Sequence, residues 1–264
     1  MSDASGSEIS RPVTEQYDDV LAEAVTVTAP DGYVGPALLY RPSAPGPHPG
    51  VAIGMEATGI NHFIRDVAAT LAHLGFVTIV PDYYRGTGPA DTENYDDIDA
   101  IMSHTLALDF PRAARDLIAA ADWLRADPNV DGYRVGYWGY CTGATVVLLA
   151  AELDRLASAG VFFYPSQPWF TDLGPGRPAH PMDLLWLLTC PTLIVYGDDD
   201  VIMSAEQLET VRAGLVNRDS AEQTVNVYAG AGHAFSAPSP AFYNEAADLA
   251  SWPDAVEFLR RALA

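Results

Sequence analysis

Residues 133–153 read YRVGYWGYCTGATVVLLAAEL, and the way this stretch divides decides the fold. Tyr133 to Trp138 is aromatic and alternating, which is strand composition, while Thr142 to Leu153 is an apolar run of helical length. Between them stands Gly139-Tyr140-Cys141-Thr142-Gly143. A strand that enters a helix through one residue with glycine on both sides makes a sharp turn. Glycine lets backbone and helix approach without a Cβ clash, and the central side chain is left raised in strained geometry. The spacing makes Cys141 a candidate nucleophile, since the dipole at a helix N-terminus favours a thiolate; the alternative is a buried structural cysteine.

Working outward, the same alternation of strand and helix recurs. Ala24 to Ala29 and Val34 to Tyr40 read as strands joined by the turn signal Asp31-Gly32, an opening antiparallel hairpin. Gly50 to Met55 is a buried strand, and helical spacing follows from Asn61 through Phe63, Val67, Leu71 and Leu74 until Gly75. Phe76 to Val80 is a strand, Tyr83 to Asp109 a polar, Gly/Pro-punctuated and acidic stretch with no helical period, and Arg112 to Arg125 a helix. Further strands are expected at Ala159 to Tyr164, Thr192 to Tyr196 and Val225 to Tyr228, with a helix at Ala205 to Leu215. A C-terminal helix carries Phe242, Ala246, Leu249, Val256, Phe258 and Leu259, and Pro253 predicts a kink or break in it. Such repetition describes an α/β fold, a doubly wound, mostly parallel sheet with helices on both faces and functional loops at the carboxyl ends of the strands. Residues 1–20 read as a flexible tail and 21–264 as one domain.

A thiol nucleophile needs a base, and the base needs an orienting acid. Tyr196-Gly197-Asp198-Asp199-Asp200 ends one strand, and Gly230-Ala231-Gly232-His233-Ala234-Phe235 follows the last strand. This gives the chain order nucleophile, acid, histidine expected of the architecture, with His233 as the base and one of the three aspartates as its partner. Glu56 closes the Gly50 to Met55 strand, where a carboxylate could raise the thiol's proton affinity and accept its proton, or simply face solvent.

Composition narrows the chemistry. The chain has 264 residues with 14 basic against 35 acidic side chains, a net charge of −21, and every basic residue is Arg. Without lysine there is no Schiff base, phosphate-loop lysine or Ser-Lys dyad. The negative field disfavours nucleic acid and anionic membranes as partners. Two cysteines, Cys141 and Cys190, make no disulfide framework and suit a reducing, cytoplasmic setting. The six histidines form no metal-ligand spacing, so no metal or other cofactor is expected. No apolar run is long enough to span a bilayer.

The residues Met55-Glu56-Ala57-Thr58-Gly59, Pro81-Asp82-Tyr83-Tyr84-Arg85, Gly139-Tyr140-Cys141-Thr142-Gly143, Gly197-Asp198-Asp199-Asp200 and Gly232-His233-Ala234-Phe235 together resemble the dienelactone hydrolase family of the α/β-hydrolase fold. The resemblance covers nearly all of the chain after about residue 20. It implies Cys141 as nucleophile, His233 as general base and acid, and Asp200 as the orienting acid, with Asp198 as the fallback. It further implies that Glu56 pairs with the resting thiol and that the backbone amides of Ala57 and Thr142 form the oxyanion hole. Family members bind a substrate carboxylate with two arginines. Here Arg85 stands near the first place and Ala237 fills the second, so half of that clamp is missing, and the pocket is altered.

The expected function is hydrolysis of an ester, lactone or thioester of a small molecule through an acyl-enzyme on Cys141. Tyr84, Arg85 and Trp169 are expected to contact that substrate, in a pocket walled by the acidic 83–109 stretch and the Pro-rich 165–181 segment. Two other readings are compatible: an acyltransferase or cyclase with the same nucleophile, and a ligand-binding or redox-sensing protein whose thiol does not turn over. The sequence leaves a homodimer open.

Overall fold

The computed structural model describes residues 17–216 and 222–264. Its strands are β1 (Val20–Thr28), β2 (Val34–Pro42), β3 (His48–Gly54), β4 (Val77–Pro81), β5 (Val130–Tyr140), β6 (Gly160–Phe163), β7 (Thr192–Gly197) and β8 (Gln223–Tyr228). They form one sheet in the order β1-β2-β4-β3-β5-β6-β7-β8. The β1–β2 hairpin is antiparallel and joins β4 antiparallel, while β3 to β8 run parallel. The inner parallel strands are buried on both sides, as β7 shows at every residue, which is why they read as continuous apolar runs, whereas the edge strand β8 is half-buried throughout.

The helices are α1 (His62–His73), α2 (Ile98–Ala107), α3 (Phe110–Ala126), α4 (Thr142–Leu153), α5 (Ala205–Val216) and α6 (Glu245–Ala262). Neighbouring residues of β5 show how they cover both faces. Trp138 packs edge-on against Trp252 of α6, and Tyr140 against Phe63 of α1. Tyr137 points the other way and donates its hydroxyl to Asp154 at the end of α4. Asn61 caps α1, its side chain accepting from the Ile64 N–H, and Gly75 follows the helix with φ of +99°. The hairpin, the parallel sheet and the flanking helices all match the expected class.

Two local expectations need correction. The segment 83–109 is not all loop, because α2 lies inside it behind the cap Asp97. Only Ile101 and Thr105 of that helix are buried, so it carries no apolar stripe for periodicity to reveal. Pro253 sits inside α6, which runs through it without a break. The buried Trp252, Ala255, Val256 and Leu259 on either side hold the helix on the sheet against the loss of one backbone hydrogen bond.

Of the segment expected to be a tail, residues 1–16 lie outside the described residues. Tyr17 stacks on His73 at 4.3 Å between centroids, and Asp19 pairs with the same imidazole at 2.9 Å. Among the described residues no helix is long and apolar enough to cross a membrane.

Candidate active site

The carboxyl end of β5 delivers Cys141 at φ 51°, ψ −119°, a backbone conformation that L side chains rarely adopt. The strain is held from both sides: the Cys141 N–H donates to the Phe163 carbonyl of β6, and the Cys141 carbonyl accepts from Ser166 N–H. The flanking glycines are sterically required. A Cβ on Gly143 would collide with the carbonyl oxygens of Gly54 and Met55, and one on Gly139 would lie 2.7 Å from the Gly143 carbonyl. The Cys141 turn therefore rests directly on the end of β3.

Two more loops at this edge complete a row. After β8, His233 sets Nε2 3.3 Å from the Cys141 Sγ and Nδ1 2.9 Å from Asp200 Oδ2. Asp200 follows β7, its carboxylate fully buried, and its other oxygen accepts from Ile202 N–H. Asp198, the alternative acid, instead accepts from Gly230 N–H at 2.6 Å and so shapes the loop that leads to the histidine. Burial opposes a charged imidazole at His233, yet the neighbouring sulfur and the Asp200 hydrogen bond outweigh it and push the imidazole up to about 10. A protonated His233 beside Cys141 is the arrangement that supports a thiolate.

The turn after β3 is gripped by adjacent tyrosines. Tyr83 donates its hydroxyl to Met55 O at 2.6 Å, and Tyr84 donates to Ala57 O at 3.1 Å. Tyr84 Oη also lies 3.3 Å from Thr105 Oγ1, which lies 3.1 Å from Thr142 Oγ1, which in turn lies 3.2 Å from Ser166 Oγ. A buried chain of hydroxyls thus links the Ala57 loop to the first residue of α4, the two places whose amides were expected to face an oxyanion. Glu56, 3% exposed, sets Oε2 2.6 Å from Tyr95 Oη and 3.2 Å from Asn61 Nδ2.

Not every expected residue joins this row. Arg85 pairs with Asp116 of α3 and with Asp31 of the β1–β2 turn, each at 2.7 Å, and lies over the Tyr33 ring. That commits it to the hairpin edge, where β4 and β3 separate β2 from β5. Ala237 is fully buried. Trp169 anchors its indole N–H on Asp183. Tyr84 braces the Ala57 backbone. Sequence reasoning missed Tyr95, Asn61, Thr105 and Ser166. Asn61 carried a signal as the cap before α1, whereas Tyr95 is one aromatic within an acidic stretch. Among the described residues no cluster of His, Cys, Asp and Glu could hold a metal ion.

A mostly parallel sheet with a strained residue at the β5–α4 turn, facing a histidine and a buried aspartate from later loops, defines a protein of the α/β-hydrolase class. Within that class, residues 36–263 match the model of the dienelactone hydrolase family, and the chain belongs to that family. It is 30% identical over 243 residues to a Salmonella typhimurium protein named "Putative carboxymethylenebutenolidase", spanning 91% of this chain and 88% of that one. A Bradyrhizobium protein named "Probable 2-oxo-3-(5-oxofuran-2-ylidene)propanoate lactonase" is 29% identical over 225 residues, 85% of this chain and 88% of the relative. Among solved structures, one titled "Crystal Structure of Putative Dienelactone Hydrolase" from Klebsiella pneumoniae superposes with a TM-score of 0.81 at 27% identity, covering 92% of this chain and 99% of that one.

Proposed function

We propose that this protein hydrolyses a carboxylic ester or lactone of a small molecule through an acyl-enzyme on Cys141. The observation that carries the reading is the row in which Cys141 Sγ lies 3.3 Å from His233 Nε2, with Asp200 2.9 Å behind the ring. In the proposed sequence the thiolate adds to the carbonyl carbon, and the oxyanion is met by the amides of Ala57 and Thr142. His233 then gives its proton to the departing alkoxide as the C–O bond breaks, leaving a thioester. Water attacks that thioester, its proton passes to His233, and the sulfur leaves. Glu56 serves the same thiol as a nearby carboxylate.

The charges around the row favour an uncharged acyl substrate. Arg85 is held by two aspartates, Ala237 offers no charge, and Glu56 and Asp200 are both acidic. The decisive experiment is intact-mass spectrometry of the wild type and Cys141→Ala after exposure to chromogenic esters, thioesters and lactones. The reading expects an acyl adduct and steady turnover in the wild type alone. Turnover that survives in Cys141→Ala would overturn it, and an adduct with no turnover would favour a non-catalytic reactive thiol.

A further inference from the structure

We propose that Tyr95 is the positioning residue of Glu56: its hydroxyl, carried by the segment between β4 and α2, donates to the carboxylate and fixes its orientation and ionisation beside the thiol. This rests on the reading that Glu56 serves Cys141.

The direction of the hydrogen bonds follows from the helix cap. Asn61 Oδ1 accepts from Ile64 N–H at the start of α1, so its Nδ2 must face the opposite way. Nδ2 lies 2.6 Å from Tyr95 Oη, 3.0 Å from Thr58 Oγ1 and 3.2 Å from Glu56 Oε2. Tyr95 Oη therefore receives a proton from the amide, and its own single proton is free to point at Glu56 Oε2, 2.6 Å away. An Asn N–H to Tyr O–H to carboxylate chain strengthens along its length and favours the charged acid. Burial, with the Glu56 charge second, keeps the Tyr95 proton on its oxygen far above the ordinary phenol range, so this donor persists at every working pH.

Glu56 and Cys141 each stand two residues beyond the paired Gly54 and Gly139, which sets them on neighbouring loops at one edge of the sheet, and Tyr83, from the turn after β4, donates to Met55 O beside Glu56. Tyr95 faces Glu56 from the β4–α2 segment, Asn61 and Thr58 are neutral, and His233 stands behind the sulfur. The consequence is that the position of residues 85–97 and the charge of Glu56 are coupled: if the segment lifts, the carboxylate loses that donor.

The test is Tyr95→Phe, which keeps the ring and removes only the hydroxyl, read alongside Glu56→Gln and the double variant. Loss of one donor to a carboxylate raises its proton affinity by about one pH unit. The acid limb of kcat/KM should therefore move up by about one unit in Tyr95→Phe. The rate should fall roughly tenfold on the acid side and approach the wild type above pH 8. The pH dependence of iodoacetamide alkylation of Cys141 gives a second reading that needs no substrate: an ionised Glu56 raises the thiol's proton affinity, so its neutralisation at higher pH in Tyr95→Phe should move this profile towards lower pH. In the Glu56→Gln background the Tyr95 substitution should change neither profile. A Tyr95→Phe profile that superimposes on the wild type, or that drops by one factor at every pH, overturns the inference while leaving the Glu56 reading intact. If Glu56→Gln itself alters nothing, the Glu56 reading falls and the inference with it. If Cys141→Ala still turns over, the fault lies in the thiol mechanism.

Discussion

The hydroxyl of Tyr84 reaches the carbonyl of Ala57 at 3.1 Å, so this side chain braces the backbone of the turn after β3. The Ala57 loop supplies one amide to the proposed oxyanion, and its placement counts only when negative charge develops there. Tyr84→Phe should lower kcat by about tenfold with little change in KM, a fraction of the loss that follows removal of a whole oxyanion donor. Steady-state kinetics on one chromogenic ester would check this, and a change confined to KM would contradict it.

Asp200 and Asp198 make a discriminating pair. Asp200 holds the Nδ1 side of His233, whereas Asp198 holds the Gly230 amide. Asp200→Asn should misorient the imidazole and cost between about a hundred and ten thousand fold in kcat. Asp198→Asn keeps an acceptor for the same amide and should lose less than about fivefold. Equal losses in the two variants would remove Asp200 from its assigned place.

The proton affinity of His233 makes a pH prediction with a definite sign. Its folded value is raised to about 10 from an ordinary 6.5. The protonated ring therefore contributes stability that is complete below about pH 6.5 and is lost as pH rises through about 10. In the free enzyme, kcat/KM should correspondingly hold through pH 8 and fall near 10. Because the sulfur is the largest cause that raises the value, Cys141→Ala should bring the imidazole titration down, measurable by proton NMR of the ring. An unmoved titration would contradict the coupling.

Arg85 offers a test of substrate charge. If it belongs to the hairpin edge rather than the pocket, Arg85→Ala should destabilise the fold by about 1.5 to 3 kcal/mol through the lost Asp116 hydrogen bonds. The ratio of kcat/KM for a neutral ester and its carboxylate-bearing analogue should stay the same. Chemical denaturation and the paired kinetics separate the two effects, and a changed ratio would return Arg85 to the site.

Much of this was legible in the chain because the decisive signals are local. Gly139 and Gly143 fix the turn, His233 and the aspartates come from loops whose place follows strand by strand, and the parallel core announces itself as apolar runs. The helix α2 was not legible, since it buries two residues and leaves the rest to solvent. Nor was the service that Tyr95, Thr105 and Ser166 perform, because it depends on residues that are 39, 37 and 24 positions from their partners and obeys no periodicity. The partners of Arg85 were hidden for a related reason. Nothing near it in sequence reveals that Asp31 and Asp116 converge on it from other elements.

Gly54 of β3 pairs directly with Gly139 of β5, so the loops bearing Glu56 and Cys141 spring from adjacent rungs of one ladder. Their separation is inherited from the lattice constant of the sheet, about 4.8 Å, rather than chosen by any side chain. On the proposed function, admitting bulkier molecules would fall to the segments that carry Tyr95 and Ser166, which reach Glu56 and Thr142, and would leave the jaw width itself untouched.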